Sequence, residues 1–211
     1  MHHLNSVFHA MTKRVAWSAF DKLVDEHGAN DLVRRLTTRQ QFLALLFGQL
    51  SGAKSLRELT GAMESHQGRL YHCGAKAPKR STLADANGQR SHEVFTGLFK
   101  AMLAAQTRGL RRKLSDAVRL IDSTGLRLAG IGAQWARFSV RVCGAKAHIV
   151  FDPDAAFPLY CAVSAASVND ISAAKAMPIE SGATYVFDLG YYDYGWWAEL
   201  DAAGCRIVTR F

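Results

Sequence analysis

Residues 119–128, RLIDSTGLRL, and residues 185–197, YVFDLGYYDYGWW, decide the reading of this chain. In each, a short apolar run closes on an aspartate, Asp122 or Asp188, and polar or glycine residues follow. An apolar run of this length, bounded by turn residues, predicts a buried strand. Each carboxylate is then expected at a strand's tip. If the two strands are neighbours in one sheet, both carboxylates reach the same place, and carboxylate oxygens suit a hard divalent cation such as Mg²⁺ or Mn²⁺. Two such ions about 3.5–4 Å apart can activate an attacking oxygen and stabilise a leaving one, which is the chemistry of phosphodiester cleavage and strand transfer. Taken singly, Asp122 also reads as a turn acid before Ser123-Thr124-Gly125, and Asp188 as a helix cap or a partner for the Gly190 amide.

The sequence around these two acids has the period of a sheet. FSVRVC at 138–143 alternates, and Ala147–Phe151 and Leu159–Ser164 read as further strands, with turns at Gly144 and at Pro153-Asp154. Strands joined by such short turns predict an antiparallel meander. A short helix from Asp170 to Met177, a strand at Thr184–Phe187, a helix from Tyr192 to Ala203 and a strand at Cys205–Thr209 follow, and this alternation favours parallel pairing. Meander first, then alternating strand and helix, is the order of an RNase H-like mixed sheet with flanking helices. Lys146 and His148, beside a strand, are candidates to face phosphate. Tyr191, Tyr192, Trp196 and Trp197 read either as helix-to-sheet packing or as a stacking platform for a base.

The first half has a different period. Helical spacing runs over Val15–Val24. Thr37 or Thr38 opens a helix that carries Phe42, Leu43, Leu45, Leu46, Phe47 and Leu50, expected to lie buried at the centre of its domain and to end at Ser51-Gly52. Ser55 caps a third helix, Ser81 a fourth that Gly88 closes, and Ser91 a fifth with Val94, Phe95, Leu98 and Met102 on one face. RGLRRK at 108–113 reads as a linker. The expected organisation is α+β: a helical, basic domain over 1–113, then the sheet domain over 114–211.

Charge follows the same division. Residues 1–113 hold 18 Lys and Arg against 8 Asp and Glu, whereas residues 114–211 hold 8 against 10. A basic first domain suits a polyanion met through phosphates. The SLRELTGAM and KRSTLADANGQR segments resemble a helix-turn-helix with a lengthened turn, so Lys76, Lys79, Arg80 and Arg90, with Arg111 and Arg112 in the linker, are the candidate DNA contacts. Nearly half the residues are apolar, enough for a sizeable core, and no run reaches the roughly 18 apolar residues of a membrane helix. Cys73, Cys143, Cys161 and Cys205 form no C-x-x-C pair, and with no secretory pattern at the start they predict reduced, mostly buried thiols in a cytoplasmic, nucleoid-associated protein.

The quoted blocks resemble the bacterial insertion-sequence transposases of family four, of the DDE class. NSVFHAMTKR, TTRQQFLALLFGQLSGAKSLREL and LYHCGAKAPKRSTLADANGQRSHEVF are similar to that family's helical leader, IDSTGLRL to the block of its first catalytic acid, and VFDLGYYDYGWWAEL to that of its second. The resemblance implies Asp122 and Asp188 as metal-binding catalytic acids, Mg²⁺ or Mn²⁺ as cofactor, and double-stranded DNA, transposon ends and target, as partner. It also implies a homodimer or pairing with an intact transposase. The chain departs from the family pattern in carrying Asn169-Asp170 where a His-Asp pair is common, and in lacking the family's Tyr/Arg/Glu/Lys signature with its third acid. The expectation is therefore a transposase truncated before the third acid and catalytically incomplete. The alternatives are a non-enzymatic DNA-binding remnant that inhibits an intact enzyme, and a nuclease recruiting Asp193 or Glu199 as third acid.

Overall fold

The computed structural model describes residues 7–31, 33–107, 117–128, 135–136 and 143–210. The chain divides into two compact units, residues 1–106 and 107–211.

The first unit is helical: α1 (Val7–Thr12), α2 (Trp17–Glu26), α3 (Thr38–Ser51), α4 (Leu56–Ser65), α5 (Gln67–Leu70), α6 (Arg80–Gln89) and α7 (Glu93–Thr107). Local chemistry sets the boundaries. The Thr37 hydroxyl accepts the Gln40 N–H and starts α3, and Gly52 ends it with φ of 70°, a left-handed conformation that glycine adopts without a Cβ penalty. Ser55 starts α4 by accepting the Glu58 N–H. The centre is α3, whose Leu43 and Ala44 pack with Leu59, Met63 and Leu83 while Phe42 joins Phe20, Val94 and Leu98. Contrary to expectation, Leu50 is exposed. Nor does Ser81 cap α6, which starts one residue earlier with Lys79 at its N-cap and no side-chain cap, and runs through Gly88.

The second unit is one five-stranded sheet in the order β3-β2-β1-β4-β5, formed by β1 (Val118–Leu128), β2 (Cys143–Asp152), β3 (Phe157–Ala165), β4 (Thr184–Val186) and β5 (Arg206–Val208). The strands β1, β2 and β3 pair antiparallel, and β4 and β5 continue parallel to β1. This is the RNase H-like mixed sheet, with α8 (Asp170–Ala174) and α9 (Tyr194–Ala202) in the crossovers. Ile121, Val150, Tyr185, Phe187, Tyr191, Trp196 and Leu200 form its core.

Two strand boundaries differ from the sequence reading. Asp122 is not at the tip of β1: the strand runs on to Leu128, paired with β2 from Leu120↔Phe151 to Leu128↔Cys143. A two-stranded ribbon thus continues past the point where β4 stops, and STGLRL is strand because β2 supplies its hydrogen bonds. Gly144 lies within β2 and makes no turn; a Cβ there would sit 3.3 Å from the Ala166 Cβ. Of the strand expected at 138–143, only Cys143 is among the described residues, and the linker at 108–113 lies outside them. The Pro153-Asp154 turn is present, with Asp152 Oδ1 accepting the Asp154 and Ala155 N–H groups. All four cysteines are free, but only Cys205 is buried and Cys161 is exposed.

Candidate metal centre and nucleic-acid surface

The parallel pairing of β1 with β4 runs Val118↔Thr184, Arg119↔Tyr185, Leu120↔Val186. Carried two residues further, the same register sets Asp122 level with Asp188. Side chains alternate along a strand, so the two acids project to one face while Ile121 and Phe187 enter the core. Both aspartates are exposed. Asp122 Oδ1 accepts its neighbour's N–H from Ser123 at 2.7 Å, and Asp188 Oδ1 accepts the Gly190 N–H at 2.9 Å. In each, Oδ2 has no hydrogen bond among the described residues. The turn bond expected as the bland role of Asp188 therefore exists and leaves an oxygen for a ligand.

Beneath the pair lies Tyr191, 1% exposed. Its hydroxyl is buried and has no hydrogen bond of ordinary geometry among the described residues. Burial pushes its ionisation far above the usual phenol range. Asp170, Asp122 and Asp188 push it further, and nearby Ser123 pulls it back. The group is therefore a neutral donor within the field of three carboxylates.

Asp170, the first residue of α8, is the member of this cluster that sequence reasoning passed over. It stands next to Asn169 in a short polar stretch, and only the fold shows what it approaches. Lys146 lies 3.1 Å from its Oδ1 and His148 Nδ1 lies 3.6 Å from the same oxygen. A Cβ added to Gly190 would meet Asp188 Oδ1 at 3.0 Å and Asp170 Oδ2 at 3.4 Å, so the two carboxylates flank that glycine.

His148 and Lys146 thus differ from the sequence reading. His148 is fully buried, and its Nε2 shares a hydrogen bond with Ser164 at 2.8 Å. Lys146 is mostly buried and also donates to the Val168 carbonyl. Both face inward because β2 is covered by α8 at this point. Burial holds the His148 imidazole below its ordinary titration range; Asp170 raises it and Lys146 lowers it. A histidine kept neutral by the fold adds stability that is complete above the unfolded value of about 6.5 and is lost as pH falls through the lower folded value. The urea midpoint of the second unit is expected to fall on acidification below about pH 6.5, and His148→Gln is expected to flatten that slope. An unchanged slope in the variant would show that His148 does not contribute it.

The donor set fits part of a metal site. Asp122 on β1 and Asp188, two residues past the paired part of β4, offer hard oxygens, and the buried Tyr191 hydroxyl is near enough to feel both. Among the described residues, no group of three or more His, Cys, Asp or Glu is placed to hold a metal ion. Asp193 and Glu199 do not join the pair: Asp193 caps α9 through the Trp196 N–H and pairs with Lys175 at 2.8 Å, and Glu199 is exposed on α9.

In the first unit, Lys76, Lys79 and Arg80 are exposed. Lys76 and Lys79 line a pocket of about 200 Å³ with Arg35, Gln40 and Thr82. Arg80 lines a second cleft with Arg57, Ser55 and Ser81. The first N–H groups of α6, without a side-chain cap, lie between them, the arrangement that receives phosphate at a helix start. Arg90 instead turns inward, donating to the Leu36 carbonyl and, at 2.8 Å, to Gln41 Oε1. Arg111 and Arg112 lie outside the described residues.

Comparison with known proteins divides the chain in a similar place. Residues 3–76 match a family described as a domain of unknown function, DUF4372, and residues 113–211 match a transposase DDE domain. A protein of Sinorhizobium fredii named "Putative transposase y4zB" is 40% identical over 134 residues, which cover 64% of this chain and 37% of that protein. The chain thus matches little more than a third of that relative's length. No solved structure is significantly similar. A helical unit followed by an RNase H-like mixed sheet, and these matches in the same order along the chain, agree: the second unit belongs to the transposase DDE domains.

Proposed function

We propose that this chain binds the DNA of an insertion-sequence end and contributes Asp122 and Asp188 to a divalent-metal centre that cuts and joins strands. The observation that supports this reading is the parallel pairing of β1 with β4 up to Leu120↔Val186, two residues before each acid. Mg²⁺ or Mn²⁺ bound there would polarise a phosphoryl oxygen and lower the pKa of a bound water. The chain's own residues do the rest. The Ser123 and Gly190 amides orient the carboxylates, Tyr191 offers a neutral hydroxyl beneath them, and Lys76, Lys79 and Arg80 meet phosphates around the start of α6. Arg111 and Arg112, outside the described residues, are further candidate phosphate contacts. Arg90, Lys146 and His148, held by internal partners, take no direct part in DNA contact. A second copy of the chain, or an intact transposase, is the proposed assembly partner.

Two measurements on the full chain test this reading. Calorimetric titration with Mn²⁺ is expected to show binding that Asp122→Asn and Asp188→Asn each weaken by at least about tenfold, the lower limit seen when only a supporting group is lost. Equal binding by wild type and both variants would sink the metal assignment. Gel shifts over a salt series should show affinity falling with salt, and Lys76→Ala or Lys79→Ala lowering the slope by about one. The absence of any shift at low salt would sink the DNA assignment. A DNA-binding protein without nuclease activity is the second reading, favoured by the lack of a third metal-binding side chain grouped with the pair among the described residues. DNA binding without Mn²⁺ binding would select it.

A further inference from the structure

Asp188 stands two residues beyond the last paired residue of β4, where the chain leaves the sheet for a 3-10 turn at Leu189–Tyr191. Its position thus depends on what holds that turn. The α8 helix packs on the turn and on β2. At five residues, with no side-chain cap from Asn169, α8 is too short to sustain itself by its own hydrogen bonds. Its first residue, Asp170, is fastened from β2 instead, by Lys146 at 3.1 Å and beside His148 at 3.6 Å. Lys146 also donates to the Val168 carbonyl, two residues before Asp170. On the other side, a Cβ at residue 190 would sit 3.0 Å from Asp188 Oδ1 and 3.4 Å from Asp170 Oδ2, so both carboxylates crowd against that glycine. A continuous support therefore runs from β2 through Lys146 and Asp170 to the turn and Asp188, separate from the β1–β4 pairing.

We propose that Asp170, clamped by Lys146, is a positioning residue that fixes Asp188 against Asp122 for divalent-ion binding. The inference rests on the reading of Asp122 and Asp188 as metal-binding acids. It makes a counter-intuitive demand. Lys146 is a cation 3.1 Å from Asp170, whose other oxygen flanks the same glycine as Asp188, so as an electrostatic bystander its removal would tighten cation binding. As a clamp, its removal weakens it. For Asp170 both readings agree in sign, because its amide isostere loses the ion pair and also a carboxylate charge, so Lys146 is the residue that tells them apart.

The test is Mn²⁺ titration of the full chain carrying Lys146→Met, Asp170→Asn or Lys146→Arg, with Asp122→Asn as control. Near-UV circular dichroism and the urea midpoint of each metal-free protein report folding. Lys146→Met and Asp170→Asn are expected to weaken Mn²⁺ binding roughly tenfold or more, as loss of groups that orient ligands does, while Lys146→Arg retains most of the affinity. Unchanged or tighter binding in Lys146→Met, with Asp122→Asn weakened, overturns the clamp and leaves the metal assignment standing. If Asp122→Asn also binds as wild type does, the metal reading fails and the inference with it. Should Lys146→Met not fold, Lys146→Gln keeps the stem and a donor without the charge, and weakened binding is expected there too; unchanged or tighter binding in it overturns the clamp equally.

Discussion

Arg119→Ala is expected to destabilise the second unit by about 3–5 kcal/mol, the range for removing one partner of a buried ion pair. Arg119 lies on β1 and is 7% exposed. Its Nε donates to Glu180 Oε2 at 2.6 Å, and one terminal nitrogen donates to Asp152 Oδ2 at 2.9 Å and to the Val118 carbonyl. Burial opposes the guanidinium's charge, but Glu180 and Asp152 more than offset it. Asp152, 4% exposed, closes the β2–β3 turn, and Glu180 precedes β4. One side chain therefore ties three separate segments at the end of the sheet opposite the two acids. Alanine would leave the Asp152 carboxylate buried without its cation. The triple replacement Arg119→Met, Asp152→Asn, Glu180→Gln should recover much of the loss, because it removes the uncompensated charge along with the pair. Urea unfolding of the full chain, with hydrogen exchange at β1 and β2 amides to localise the change, checks this. A loss under about 1 kcal/mol would place the network among pairs of surface strength.

Neither that network nor the Asp170 clamp was legible in the sequence, and the reason is physical. Arg119, Asp152 and Glu180 are far apart along the chain, and nothing local to any of them requires the others. Legible features were those set by neighbours: the Thr37 and Ser55 caps, the Gly52 stop, and the apolar runs ending near Asp122 and Asp188. Their adjacency followed from the alternation of strand and helix, which favours parallel neighbours, and the register of β1 with β4 bears it out. Local reading failed where a distant strand changed the outcome. STGLRL and Gly144 have turn composition, yet they pair with each other across β1 and β2, Leu126↔Ala145 and Arg127↔Gly144. His148 alternates as an exposed strand residue would, and is buried because α8 covers its face. Arg90 reads as part of a basic surface, and points inward because the Leu36 carbonyl and Gln41 are there to receive it.

Trp196→Ala is expected to cost the second unit about 3–5 kcal/mol, the range for truncating a buried large aromatic. The residue is 2% exposed and packs on Phe187, with ring centroids 5.3 Å apart, in the core that includes Tyr191 and Leu200. Phe187 and Tyr191 flank Asp188 on either side in the chain, so a cavity at Trp196 opens beneath the turn that carries Asp188. The variant should therefore lose Mn²⁺ affinity together with stability, though residue 196 is not itself a ligand. Trp197 is the internal control. It is half-buried, joins an edge-to-face cluster with exposed Tyr192 and Tyr194, and donates its indole N–H to the Tyr191 carbonyl at 3.1 Å. Its truncation leaves less cavity and more access for water, so Trp197→Ala is expected to cost about 1–2 kcal/mol, one hydrogen bond plus partial burial. Trp196→Phe separates volume from polarity: the buried Trp196 indole N–H has no acceptor among the described residues, so phenylalanine removes an unsatisfied donor and recovers most of the packing. Equal losses for Trp196→Ala and Trp197→Ala would mean that the aromatic surface cluster, and not the core beneath Asp188, holds this turn in place.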